Sequence, residues 1–247
     1  MTYSIALAGK GGTGKTTMAG FLIRYLSERG KKPILAVDAD ANANLNEVLG
    51  LEVHGTLGDA REEMKKGVSS GMTKDVFMEM KLQEAVVESA NFDLIVMGRP
   101  EGRGCYCAAN SLLVQYLDRL IDNYEAVVID NEAGMEHLSR LTTNNIDVLL
   151  LVSDSTRRGI QAAARIVEIA EELNLNIAKK LLVVNQAKKE EEKTIQAMAA
   201  DFGLEVIGII MDDPDVRKFD LNGKPTVKLD RENKALSEAF LIFEKFI

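Results

Sequence analysis

The segment Gly9-Lys10-Gly11-Gly12-Thr13-Gly14-Lys15-Thr16-Thr17 limits what this chain can fold into more than any other stretch. It fits the pattern G-x-x-x-x-G-K-[ST], follows the apolar run Ser4–Ala8, and precedes a helical stripe of Met18, Leu22, Tyr25 and Leu26 that Gly30 can stop. Strand, glycine-rich turn and helix in immediate succession open an α/β sheet. Glycines at 11, 12 and 14 let backbone N–H groups converge on an anion without side-chain interference, and the helix N-terminus adds the positive end of its dipole. The pattern predicts a phosphate cradle in which Lys15 reaches the β and γ phosphates of ATP and the Thr16 hydroxyl ligates magnesium.

Six further apolar runs extend the strand pattern: Pro33–Val37, Asp93–Met97, Ala126–Asp130, Val148–Val152, Leu181–Val184 and Val206–Ile210. They are continuous rather than alternating, as strands buried on both faces are. Helical stripes lie between them, for example Ile160, Ala163, Val167 and Ala170 with Glu168, Glu171 and Glu172 turned outward. The alternation predicts a doubly wound, mostly parallel sheet in one domain over residues 1–247, with ligands at the C-terminal ends of the strands. Residues 52–91 break the rhythm and read as a helical insertion. Its Met64, Met72, Met78 and Met80 either fill gaps in the core or form an adaptable partner surface.

Charge and composition exclude several classes. A formal charge of -8 argues against a nucleic-acid surface. No apolar run reaches about 18 residues, so no membrane span is expected, and the first apolar stretch runs straight into the glycine loop rather than into a cleavage site. The chain holds two cysteines, Cys105 and Cys107, too close together for a comfortable disulfide, which points to reduced thiols and a cytoplasmic setting.

Strand-end carboxylates supply the next signal. Val37-Asp38-Ala39-Asp40 and Ile129-Asp130-Asn131-Glu132-Ala133-Gly134 place acids where hydrolysis needs a metal holder and a water-orienting group, although strand-end aspartates also cap helices. Asn185 ends the run before it and can both donate to and accept from a base edge. Asp212-Asp213-Pro214 and Asn222-Gly223-Lys224-Pro225 are turn-like segments further on.

The second lysine of the loop, Lys10, makes the motif resemble the deviant Walker A ATPases, a superfamily that includes partition and cell-division ATPases, dinitrogenase reductase and metallochaperone ATPases. The resemblance implies that Lys10 crosses a homodimer interface to the partner's nucleotide; read without it, Lys10 is one more cation near phosphate. It implies Asp40 as the water-orienting residue, Asp38 and Asp130 as support for the metal, and Gly134 near the γ phosphate. It also places Asn185, Asp213 and Pro214 near adenine and ribose. Related switches carry proline after the position of Asp40, where this chain has Ala41.

Cys105-Tyr106-Cys107 lies in a glycine-rich loop after the strand Asp93–Met97, with Asn110 and a helix behind it. Two thiols supply half of a closed tetrahedral site, and a two-fold dimer would supply the rest. The alternative is a pair of reduced cysteines acting as small apolar residues. The loop resembles that of the CooC-type nickel-insertion ATPases of carbon monoxide dehydrogenase maturation, and Ile129–Leu138 resembles their second switch. The resemblance implies slow ATP hydrolysis and nickel, or zinc, held by Cys105 and Cys107. It also implies a client such as carbon monoxide dehydrogenase or acetyl-CoA synthase. The apolar spacing of Ala235–Ile247, with Phe240, Leu241, Phe243 and Phe246 beside Glu238 and Glu244, reads as a docked core helix rather than a lipid-seeking one, so no stable membrane association is expected. His137 is a further ligand or a structural residue. A positioning ATPase and an iron–sulfur electron donor are the competing readings.

Overall fold

The structure is a computed structural model that describes residues 2–40, 42–68, 71–98, 115–131 and 145–247. Seven strands form one sheet: β1 (Tyr3–Ala8), β2 (Ile34–Ala39), β3 (Asp93–Val96), β4 (Ala126–Asn131), β5 (Asn145–Ser153), β6 (Asn176–Ala187) and β7 (Val206–Met211). Their spatial order is β3-β2-β4-β1-β5-β6-β7, and every neighbouring pair is parallel. The seven expected runs are the seven strands, and the doubly wound parallel sheet is the fold.

Helices cover both faces. On one side lie α1 (Lys15–Glu28), α2 (Leu45–Leu49) and the C-terminal helix Lys234–Phe243. They pack on Ile5, Leu7, Ala36, Val128 and Leu150. On the other side are α3 (Leu57–Lys66), α4 (Lys74–Ala85), α5 (Arg157–Glu172) and α6 (Glu192–Asp201). These pack on Ala6, Val37, Ile129 and Leu149. Successive strand residues therefore feed opposite cores, the period of two that an extended backbone imposes. α1 stops as its sequence suggests: Gly30 takes φ 74°, and the Lys31 N–H returns to the Leu26 carbonyl.

Residues 52–91 hold α3 and α4. Thr56 caps α3 in a reciprocal capping box with Asp59. Met64 and Met78 are buried, and Met72 and Met80 pack against the same cluster. These methionines fill the space between the helices and the sheet, a job suited to an unbranched, flexible side chain.

β6 runs well beyond the expected Leu181–Val184 because its first five residues are largely exposed. Hydrophobicity could not mark them; pairing with β5 does, from Asn145↔Asn176 onward. The sheet edge at β7 is blunted by two side chains. Glu238 accepts from the Met211 N–H at 2.9 Å, and Lys245 donates to the Ile207 carbonyl at 2.6 Å. A strand edge satisfied by charged side chains is a poor template for another strand.

Two further helices close the chain: α7 (Pro214–Leu221) and α8, the C-terminal helix Lys234–Phe243. α8 is held to α1 by edge-on aromatic contacts, with the Tyr25 and Phe240 ring centroids 5.0 Å apart. The apolar spacing of Ala235–Ile247 is thus used inside the domain. Among the described residues no helix is long and apolar enough to cross a membrane.

Candidate nucleotide-binding site

The glycine loop joins β1 to α1 at the centre of the sheet, and its shape is over-determined. Gly12 and Gly14 take φ 82° and 86°, a region that L side chains rarely adopt. At Gly9 the constraint is proximity: a Cβ there would lie 2.0 Å from the Val152 carbonyl oxygen of β5. Thr13 Oγ1 donates to the Lys10 carbonyl at 2.9 Å, and Lys15 Nζ donates to the same oxygen at 3.3 Å. Lys15 is 8% exposed, whereas the Lys10 side chain is on the surface. Thr16 and Thr17 open α1 beside the loop.

Two aspartates face one another from adjacent strands, since Asp38 of β2 and Asp130 of β4 are register partners. Both are buried. Burial pushes the Asp130 carboxyl up to about 7; the Thr16 hydroxyl bond and the Lys15 charge oppose this, while the Asp38 charge adds to it. The Asp38 carboxyl rises to about 6 from the same cause, restrained by backbone N–H groups of Leu45, Asp40 and Asn44. Asp130 Oδ1 is buried with no hydrogen-bond partner. An orphaned carboxylate oxygen beside a threonine hydroxyl offers hard oxygen donors of the kind magnesium takes. Asp38 differs: Oδ1 accepts from the Asp40 N–H at 3.1 Å and Oδ2 from the Leu45 N–H at 2.9 Å. Asp40 is partly exposed and takes the Asn42 N–H at 2.8 Å.

A groove of about 630 Å³ joins these parts, lined among others by Lys15, Thr16, Asp40, Asn185, Asp213 and Arg217. A cleft of similar volume, about 640 Å³, sits at the opposite end of the sheet beside Lys179 and Lys245. It lacks a glycine loop and a carboxylate pair, so chemistry rather than size selects the first. Asn185 Nδ2 is committed to the Thr13 carbonyl at 2.9 Å, which ties the end of β6 to the phosphate loop. That leaves its Oδ1 and the second N–H of the amide for another partner. Asp213 is committed as well. Its Oδ1 caps α7 through the Asp215 and Val216 N–H groups, and its Oδ2 accepts from Asn233 and Ala235 at the start of α8. Pro214 is the first helical residue, where its missing N–H costs nothing.

Sequence reasoning passed over Gln186 and Asn42. Gln186 sits at φ 56° in a register shift between β6 and β7, and its amide approaches the Gly12 carbonyl at 3.5 Å. Asn42 lines the groove beside Asp40. Neither falls in a recognisable spacing, so only the fold could reveal them. Ala41, Cys105, Cys107, Asn110, Gly134 and His137 lie outside the described residues. Among the described residues no group of three or more His, Cys, Asp or Glu could hold a metal ion.

A glycine phosphate loop after the central strand of a seven-stranded parallel sheet, with acids at the ends of β2 and β4, defines a P-loop nucleotide-binding domain. The chain belongs to the CobQ/CobB/MinD/ParA nucleotide-binding domain family, whose sequence pattern matches residues 4–227. It is 44% identical over 248 residues to an uncharacterized ATP-binding protein of Methanocaldococcus jannaschii, covering 98% of both chains. It is 34% identical over 197 residues to the carbon monoxide dehydrogenase accessory protein CooC of Rhodospirillum rubrum, covering 72% of this chain and 74% of that one. Among solved structures it resembles the septum site-determining protein MinD of Pyrococcus horikoshii complexed with Mg-ADP. That likeness has a TM-score of 0.73 at 23% identity, over 99% of this chain and 96% of that one, and speaks to the fold.

Proposed function

We propose that this chain hydrolyses ATP and uses the cycle to run a two-fold dimer that delivers nickel to carbon monoxide dehydrogenase or acetyl-CoA synthase. One observation carries the proposal: Cys105-Tyr106-Cys107 follows β3 in a chain that is 34% identical to CooC over 197 residues. In this reading Lys15 and the N–H groups of Gly9–Thr17 hold the phosphates, Asp40 orients the attacking water, and Lys10 reaches the nucleotide of the partner chain. Asn185, Asp213 and Pro214 border the base and ribose. Magnesium would be held by Thr16 and Asp130, with Asp38 nearby, and supplies charge neutralisation at the β and γ phosphates when bound. The orphaned Asp130 Oδ1 supports that assignment.

Cargo chemistry follows from the thiols. Two per chain become four at a two-fold axis, a thiolate set for nickel or for zinc. ATP and metal then favour the same closed dimer, so each raises the affinity for the other. The deciding measurement is nickel bound per protomer in the reduced protein beside a Cys105→Ser/Cys107→Ser variant. The proposal expects one nickel per two chains, lost in the variant; thiol-independent nickel, or none, removes the insertion role.

A positioning ATPase is the second reading, supported by 27% identity to Bacillus subtilis MinD over 94% of this chain. The docking of α8 on α1 supplies no free amphipathic anchor from that helix. ATP-dependent co-sedimentation with anionic vesicles would favour this second reading.

A further inference from the structure

We infer that Asp38 is a positioning residue: its two carboxylate oxygens staple the two ends of the loop that carries Asp40, and so fix Asp40 at the phosphate end of the groove. This rests on the hydrolytic reading above for its consequence, though not for its geometry. Both ends of the loop are anchored independently. At the first end, Asp38 lies within the sheet, paired with Val96 on one side and Asp130 on the other, and its own carbonyl accepts from the Met97 N–H at 2.8 Å. At the second end, Leu45 opens α2 and is fully buried. α2 is locked on α1, where a Cβ at Gly20 would come within 2.3 Å of Val48 Cγ1.

Between these anchors the described residues of the loop make short-range contacts. The Asn42 N–H and amide both go to Asp40 Oδ1, the Ala43 N–H returns to the Asp40 carbonyl at 3.1 Å, and Ala43 adopts φ 51°. Such a segment has little burial of its own, so between its two anchors it can take many paths unless its first and last amides are bonded to one group. Asp38 removes that freedom with one N–H from each end, Asp40 at 3.1 Å and Leu45 at 2.9 Å. A carboxylate can accept both; a carboxamide has one acceptor oxygen and would turn N–H groups against the second donor. With one backbone N–H on each oxygen, Asp38 is placed to act on the reaction through Asp40, whereas Asp130 has an oxygen with no hydrogen-bond partner.

The test is Asp38→Asn in the full chain, read three ways. Hydrogen exchange of the amides from Asp40 to Leu45 should speed up by about 10- to 100-fold, the loss expected for one charge-assisted hydrogen bond, while β1 and α1 stay protected. Affinity for a fluorescent ATP analogue should hold within about threefold, and kcat for ATP should fall about tenfold or more, because positioning rather than binding is lost. Asp38→Ala, which removes both acceptors, should give the same exchange pattern or a larger one, so the staple can be judged even if one variant folds poorly. Unchanged exchange in Asp38→Asn, with only a raised magnesium requirement, overturns the proposal and makes Asp38 a metal-supporting residue. If the wild type hydrolyses no ATP, the hydrolytic reading fails while the exchange data still decide the staple.

Discussion

The two ends of the nucleotide groove are built on opposite plans. At the phosphate end, Lys15, Asp38 and Asp130 are buried, Gly9 lies against β5, and Thr13 and Lys15 are bonded to the Lys10 carbonyl. At the far end stands α7, a helix with no buried residue, whose Leu221 is 76% exposed. α7 is fastened at its start through Asp213, which caps it and ties it to α8. Phosphate presents a fixed charge and shape, so a preorganised cradle gains most there. A wall made of an exposed helix can shift at little cost, because it has little burial to lose.

Lys15→Ala should produce the largest effect. Removing a buried ammonium aimed at phosphate should weaken ATP binding about 100-fold or more, as expected for losing charge-assisted hydrogen bonds. Titration with a fluorescent ATP analogue checks it, and near-wild-type affinity would erase the contrast between the two ends.

The buried carboxylates give the next effect, with a defined sign. Asp130 titrates at about 7 and Asp38 at about 6, both above the ordinary 3.8. The folded protein therefore binds these protons more tightly than the unfolded chain. Their contribution to stability is full below about 3.8, is lost as pH rises from there through 6 and 7, and is least favourable above 7. Asp130→Asn cannot ionise, so at pH ~8 it should exceed the wild type by about 1–3 kcal/mol, a gap that narrows toward pH ~5. Urea unfolding of the nucleotide-free proteins at the two pH values measures the gap. Magnesium affinity should move the other way, weakening as pH falls through 7, because the metal needs the ionised acid.

Asp213→Ala sharpens the comparison at the exposed end. Loss of the cap should cost about 1 kcal/mol of stability and speed exchange in α7. Pyrophosphate binding should stay at its wild-type level while ATP affinity falls by about three- to tenfold, roughly 1 kcal/mol. Loss of pyrophosphate binding would show that the two ends are not independent. Leu221→Ser should do least, within about 0.5 kcal/mol, because the side chain already lies in water. Denaturant midpoints are sufficient to test that.

Much of the phosphate end was legible in the sequence because its function depends on local order: glycines where side chains would obstruct, then Lys15 and Thr16 at the mouth of a helix. The seven strands were equally legible, since burial on both faces leaves unbroken apolar runs such as Val148–Val152. What the sequence left open was which atoms are already engaged. Asp38, Asp130, Asn185 and Asp213 share one signature, a polar residue at or just after a strand end, yet they serve differently. Asp38 is filled by two backbone N–H groups, Asp130 keeps an oxygen free, Asn185 holds the phosphate loop, and Asp213 joins two helices. Each of Asp38, Asn185 and Asp213 has a partner 7, 172 or 22 residues away in the chain, respectively, and local pattern does not reveal it. Local pattern fixed the strands and the cradle because propensity and periodicity act between near neighbours; only the packed sheet decided the partners, because register and helix docking choose which distant donors meet which acceptors.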